Sequence, residues 1–319
     1  MKKIAVLTTG GDAPGMNAAI RAVVRYAVSR NVEVMGVSRG WKGLIEGDLK
    51  PFDHRSVSGI ISQGGTILKT TRCPEFSGKE GQKKAYENIK KHAIEGLIVI
   101  GGNGSFAAAH SFYNNFKIPC IGIPASIDND INGIAVTIGS DTAVNTALGA
   151  IDNIRDTSTS MERIFVVEVM GRDCGFIALA VALAGGCEDV IIPEVKFDIE
   201  KICADIRQGY NIGKISWIIV VAEGAGKAED IAKQISERTG FESRAVVLGH
   251  IQRGGRPTAV SRDLALRLGQ VAVEYLLNGE ADKAVSFSCG KVTTVDFETA
   301  IKKKDLKFQQ WYELIKILT

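Results

Sequence analysis

No apolar stretch in the 319 residues approaches the roughly 18 that a membrane-crossing helix needs, and no secretory pattern follows Met1-Lys2-Lys3. A cytoplasmic protein with no membrane partner is expected. An excess of one charge is missing too. Lys and Arg number 39 against 36 Asp and Glu, a net charge of +3, and the longest basic run is Lys302-Lys303-Lys304. So small an imbalance argues against nucleic acid as a partner. Cysteine is sparse: the six, at 73, 120, 174, 187, 203 and 289, form no Cys-x-x-Cys pair. That sets aside the common zinc spacings and a disulfide framework, and leaves small buried hydrophobes as the expected role. Pro/Ser-rich linkers and low-complexity tracts are absent, so any domain boundary runs through ordinary loops, with Gly139–Asp141 and Gly249–Arg253 as candidates.

What is present is alternation. Apolar, β-branched runs at 4–7, 32–37, 97–100, 118–123, 164–169, 190–192, 217–221 and 244–248 read as strands. Their lack of polar alternation suits strands covered on both faces. Amphipathic stretches at 16–29, 81–92, 142–157, 200–208 and 228–238 lie between them and read as helices. This order predicts an α/β protein built of parallel sheets sandwiched by helices, and the length predicts two domains. Sites in such folds lie beyond the C-terminal ends of strands.

Six of those ends carry chemistry. Gly101-Gly102-Asn103-Gly104-Ser105 follows one strand and reads as a Gly-rich turn whose N–H groups can close on phosphate oxygens. Ser126-Ile127-Asp128-Asn129-Asp130 follows the next strand and offers two carboxylates, one for a proton and one for a cation. Thr8-Thr9-Gly10-Gly11-Asp12-Ala13-Pro14-Gly15 has the glycine spacing of a P-loop, but Met16-Asn17 stand where Lys-Ser/Thr belong, so the turn is an anion site of another kind or a plain βα turn. Val169-Met170-Gly171-Arg172 brings an Arg to a strand exit, where it can clamp developing charge, and Glu223-Gly224 ends another strand. His250 and Arg253 in Gly249-His250-Ile251-Gln252-Arg253 point to anion recognition. Arg72 lies on a loop after Gly64-Gly65-Thr66, and Arg163 and Arg244 are read as sitting just before strands. Arg21 and Arg25, four apart, share a helix face. Taken singly, each has a bland alternative as a turn or surface residue. Together they describe a phosphoryl-transfer site for a substrate with phosphate at both ends.

In order along the chain, TTGGDAPGMNAAIR (8–21), GGTIL (64–68), CPEF (73–76), GGNGS (101–105), SIDND (126–130), EVMGR (168–172), VAEG (221–224) and LGHIQRGG (248–255) strongly resemble bacterial-type ATP-dependent 6-phosphofructokinase. The resemblance weakens after about Gly290. It implies two Rossmann-like three-layer domains with mainly parallel sheets: residues 1–139 with 252–302 for ATP, and 140–251 with 303–319 for substrate and effector. It implies transfer of the ATP γ-phosphoryl group to fructose 6-phosphate with Mg²⁺. Asp128 would be the general base, assisted by Ser126, with Arg172 stabilising the transferring group and Asn103 and Asp130 at the metal. Gly11, Trp41, Arg72, Cys73, Gly102, Asn103, Gly104 and Ser105 would hold ATP, Trp41 standing where Tyr is usual. Ser126, Asp128, Met170, Gly171, Arg172, Glu223, His250 and Arg253 would hold the sugar phosphate. Arg163 and Arg244 would do so from a neighbouring subunit of a homotetramer. Arg21, Arg25, Arg155, Glu188 and Lys214 match an effector site for ADP and phosphoenolpyruvate.

Two features favour ATP over pyrophosphate, since pyrophosphate-using relatives typically carry Asp where Gly104 stands and Lys where Ala125 stands. Three readings from other classes have less behind them. A weakly active regulatory subunit rests on Asn103 alone. A periplasmic-type sugar-binding protein lacks its secretion pattern, and a Rossmann dehydrogenase lacks its glycine fingerprint. The departures are specific. The family usually has Asp at 103. Asn keeps an oxygen but loses a charge worth roughly 1–4 kcal/mol at 4 Å, so Mg-ATP use is expected to weaken by about one to three decades. His54, Gly59 and Ile212 replace a usual Arg, an acidic residue and Lys, so effector binding is expected to be weaker.

Overall fold

The computed structural model describes residues 1–288 and 290–319; Cys289, one of the cysteines expected to be buried, lies outside the described residues. The chain divides into two compact units, Met1–Thr142 with Arg253–Lys304, and Ala143–Gln252 with Asp305–Thr319. In chain order the strands are β1 (Lys3–Thr8), β2 (Glu33–Val37), β3 (Leu49–Phe52), β4 (Gly96–Gly101), β5 (Cys120–Ser126), β6 (Ile138–Gly139), β7 (Ile164–Val169), β8 (Asp189–Ile191), β9 (Trp217–Ala222), β10 (Ser243–Val247), β11 (Lys283–Ser288) and β12 (Lys291–Asp296). The helices are α1 (Met16–Ser29), α2 (Trp41–Glu46), α3 (Lys79–Lys91), α4 (Asn103–Phe116), α5 (Ser140–Met161), α6 (Phe176–Ala184), α7 (Ile199–Asn211), α8 (Ala228–Thr239), α9 (Ala259–Leu277), α10 (Phe297–Ala300) and α11 (Gln309–Leu318).

In the first unit the described strands form one sheet of order β12-β11-β5-β4-β1-β2-β3, with β6 paired to β5 beyond it. The pairs are parallel except β2–β3 and β11–β12, which close the two edges. The second unit holds a fully parallel sheet of order β10-β7-β9-β8. Every residue of β4 and β9 is buried, as strands covered on both faces must be. The edge strand β3 carries Pro51, which a central strand could not accommodate. Around β4 and α4 the first core is aromatic: Trp41 stacks on Phe76 at 4.2 Å, and Phe106 stacks on Phe297 at 5.0 Å. The second core is aliphatic, with Ile206 of α7 and Ile235 of α8 closing over Ile219 of β9. Each such side chain contributes about 1.5–3 kcal/mol through burial.

Several elements differ from the sequence-based expectation. The Gly101–Ser105 stretch is not an isolated turn, because α4 starts inside it at Asn103. β5 does not stop at Ile123; β6 pairs with Ala125 and Ser126 and carries it on to Ser126. Arg163 does precede β7, but Arg244 lies within β10, since pairing with β7 begins at Ser243. Helices α9 and α11 and the β11–β12 hairpin were not foreseen. Among the described residues, no helix is long and apolar enough to cross a membrane.

Candidate active site

The exits of β1, β4 and β5 lie side by side because those strands are neighbours in the first sheet. At the β4 exit, the N-cap of α4 is Gly102, with no side chain capping the helix. The first-turn N–H groups of Asn103 and Gly104 belong to the set a helix leaves unsatisfied, and they offer an anion site reinforced by the helix dipole. Gly104 is exposed, and a Cβ built on it meets nothing within 4 Å. Ser105 is only 4% exposed, and its hydroxyl donates to the Thr9 carbonyl at 2.9 Å. Its proton is therefore spent on tying α4 to the β1 exit. At that exit Gly11 is exposed, and the Arg253 guanidinium lies 2.7 Å from where a Cβ would sit, so a side chain there would displace it. Arg253 Nη1 also donates to the Asp12 carbonyl at 3.2 Å.

The β5 exit is a loop pinned at several points. Ser126 Oγ donates to Asp130 Oδ1 at 3.1 Å and accepts from the Asp128 N–H at 3.2 Å. Asp128 is 3% exposed, so its carboxylate stands in a largely dry position. Between the two acids Asn129 adopts φ 51°, the left-handed region that Asn tolerates better than most residues. Its side chain donates to the Ala135 carbonyl at 3.1 Å and accepts from the Thr137 N–H at 3.0 Å. Lys304 Nζ donates to the carbonyls of Asn129 and Ile134, both at 2.8 Å. The sequence reading treated Lys302–Lys304 only as a short basic run and missed this clamp, since nothing in the sequence pairs residue 304 with residue 129. The left-handed Asn129 had a signal in its residue type. Asn103 Nδ2 donates to the Asp130 carbonyl and to Asp130 Oδ2, each at 3.1 Å, while Asn103 Oδ1 is buried with no hydrogen-bond partner.

In the second unit, the β7 exit carries Met170, Gly171 and Arg172. The Met170 N–H donates to Gln252 Oε1 at 2.7 Å, and Gln252 is fully buried. Gly171 has φ 141° and Arg172 has φ 51°, a conformation costing a non-glycine residue about 1–3 kcal/mol. Glu223 holds that strained backbone by accepting from the Arg172 N–H at 3.0 Å. Gly224 is obligatory beside it, because a Cβ there would lie 1.9 Å from the Arg172 carbonyl oxygen. Gln252, the residue between His250-Ile251 and Arg253, was not singled out by sequence reasoning and is what fixes Met170. His250 is exposed in the 3₁₀ turn Gly249–Gln252. Glu242 draws Arg163 and Arg244 together, pairing with Arg163 Nε at 2.9 Å and with Arg244 Nη2. Burial works to raise the Glu242 carboxyl, but the two guanidinium groups outweigh it and hold the group below its usual range.

The remaining candidates fall in three places. Trp41 is 3% exposed and packed in the first core, with its indole Nε1 buried and without a hydrogen-bond partner. Arg72 is exposed, and Cys73 is half-buried at the cap of the 3₁₀ turn Pro74–Ser77. Cys120, Cys174, Cys187 and Cys203 are buried. Burial pushes the Cys120 and Cys203 thiols up, and the Cys187 thiol up to about 12. Iodoacetamide at about pH 8 is therefore expected to label Cys73 ahead of these four. Peptide mass mapping of native protein checks this, and comparable labelling of Cys187 would contradict it. Arg21 and Arg25 line one cleft on α1 with Tyr26 and Gln270. Arg21 Nη1 is buried with no hydrogen-bond partner, and burial, then the Arg25 charge, lower the Arg21 pKa. In the second unit, Arg155 Nη2 donates to the Gly186 carbonyl at 2.8 Å, and Lys214 pairs with Glu188 at 3.2 Å.

Among known proteins, residues 3–276 match the family Phosphofructokinase. Over 319 residues, with all of both chains covered, the chain is 52% identical to the ATP-dependent 6-phosphofructokinase of Clostridium tetani and 50% identical to that of Thermotoga neapolitana. Among solved structures it is similar to phosphofructokinase from Saccharomyces cerevisiae, with 32% identity and a TM-score of 0.91 over 98% of this chain. The match takes in 50% of the yeast chain, so this chain spans about half its length.

Proposed function

Because the chain belongs to the phosphofructokinase family, we propose that it is an ATP-dependent 6-phosphofructokinase, moving the γ-phosphoryl group of ATP to the 1-hydroxyl of fructose 6-phosphate and releasing ADP and fructose 1,6-bisphosphate in glycolysis. The observation that carries this reading is full-length identity of 50% and 52% to relatives of that name.

The residues take their roles as follows. The N–H groups at the start of α4 hold ATP phosphates, with open space at Gly104 for the nucleotide. Asp128, nearly dry, accepts the proton of the sugar 1-hydroxyl as that oxygen attacks the γ-phosphorus and the bond to the β-phosphate oxygen breaks. Ser126 holds the Asp128 backbone and the Asp130 carboxylate in register. Arg172, on a backbone fixed by Glu223 and Gly224, stabilises charge on the transferring group. Met170, Gly171, Glu223, His250 and Arg253 bind the sugar phosphate. Little covalent work falls to the protein, and positioning and electrostatics supply most of the rate.

The reading implies Mg²⁺. The orphaned, buried Asn103 Oδ1 beside the Asp130 carboxylate offers the hard oxygen donors this cation takes, so the residues fit it, and Asn103 and Asp130 would hold it. Bound there, it would neutralise charge on phosphate oxygens.

The proposal extends to a cytoplasmic homotetramer in which Arg163 and Arg244 serve a neighbouring subunit. It extends also to anionic effectors, ADP and phosphoenolpyruvate, at Arg21, Arg25, Arg155, Glu188 and Lys214. The unpartnered Arg21 N–H beside Arg25 supports an anion at the α1 cleft.

A coupled assay with fructose 6-phosphate, comparing Mg-ATP with Mg-pyrophosphate, tests the core of this. Turnover with ATP and none above background with pyrophosphate is expected. Preference for pyrophosphate would overturn the donor assignment. Sugar-phosphate binding without turnover on either donor would favour a regulatory subunit.

A further inference from the structure

We propose that Asn103 is a neutral strut that holds the Asp130 carboxylate in its working position before any metal arrives, so that the metal-facing loop of this chain is organised in the metal-free protein. The inference rests on the kinase reading for the identity of the metal, and on hydrogen-bond geometry for everything else.

Both Asp130 carboxylate oxygens are held by uncharged donors from two different elements. Ser126 Oγ, at the end of β5, reaches Oδ1, and Asn103 Nδ2, at the start of α4, reaches Oδ2, both at 3.1 Å. The same Asn103 nitrogen donates to the Asp130 backbone carbonyl. An amide nitrogen has two hydrogens, and both are used on one residue. This fixes the amide orientation and leaves Oδ1 as the buried oxygen without a partner. The backbone under Asp130 is fixed independently by Asn129, Thr137 and Lys304.

A carboxylate at 103 could make none of these bonds, because it only accepts. It would face Asp130 Oδ2 across the 3.1 Å that the Asn103 amide now spans, charge against charge. A carboxylate gains from standing at a helix N-terminus, but by roughly a quarter or less of the repulsion at such a distance. Order in this loop would then depend on a cation between the two acids. Asn103 trades attraction for the metal against independence from it, and acts as a positioning residue for Asp130.

Thermal melts of the full chain and of Asn103→Asp and Asn103→Ala, in EDTA and in excess magnesium chloride without nucleotide or sugar, test this. The unmutated protein is expected to melt within about 1 °C of the same temperature in both buffers. Asn103→Asp should melt at least about 2–4 °C lower in EDTA and recover with magnesium. Asn103→Ala should melt lower in both, because it loses the strut without gaining a metal ligand. Asn103→Asp melting like the unmutated protein in EDTA overturns the proposal, as does a magnesium shift equally large in both. Should Asn103→Asp fail to fold, hydrogen exchange of the 128–133 amides in the unmutated protein decides. Protection independent of EDTA supports the strut, and protection lost with EDTA overturns it. None of these readouts needs turnover, so failure of the kinase assay would strike the functional reading alone.

Discussion

Asp128→Asn lowers kcat by about 10²–10⁴-fold, the range a positioned general base supplies, and leaves KM for fructose 6-phosphate within a few-fold. The size follows from where the carboxylate stands. At 3% exposed it has little water to share the proton with, and its backbone N–H is fixed on Ser126 Oγ. Asn has the same shape, so Ser126, Asp130 and the loop stay in place, and only the proton acceptor is lost. A cooperative melt of the variant separates a chemical defect from a folding one. The coupled assay and a thermal melt on the same preparation read both. Retention of more than a tenth of kcat would assign the proton to another group.

Much of the frame was legible because it is written locally. Unbroken apolar runs at 97–100 and 217–221 specify strands covered on both faces, and the structure buries every residue there. The candidate site stretches stand out for the same reason: glycine and charged residues just past an apolar run are a local pattern. What the sequence withheld is non-local. That Lys304 clamps the loop of Asp128 depends on a contact across 175 positions. That Gln252 fixes the Met170 N–H depends on one across 82. The start of α4 was hidden for another reason. Asn103 and Gly104 are poor helix formers, and tertiary packing of Phe106 and Phe112 overrides that preference. Trp41 has no local signal of its own: only the resemblance places it at ATP, and its 3% exposure and stack on Phe76 come from tertiary packing.

Gly104→Asp should cut kcat/KM for Mg-ATP by roughly a thousandfold without destabilising the protein. The position is the second residue of α4, and the space beyond it is open, so the side chain enters no packed region. For stability the change is favourable twice over. Glycine is the poorer helix former, and a carboxylate in the first turn interacts well with the helix dipole, each by up to about 1 kcal/mol. For ATP it is unfavourable, because the new carboxylate occupies the open space with the same sign of charge as a phosphate. Like charges at 4 Å repel by about 4 kcal/mol at an effective dielectric of 20, close to three decades in rate. Gly104→Ala is the control. Its Cβ meets nothing within 4 Å, so activity should stay within a few-fold and Tm should rise slightly. A large loss already in Gly104→Ala would mean that the nucleotide needs the volume of a single methyl group. Full ATP use by Gly104→Asp would mean that the phosphates lie elsewhere than at the start of α4. Expected instead is a pair of variants moving together in stability and apart in activity, which a fold defect cannot produce.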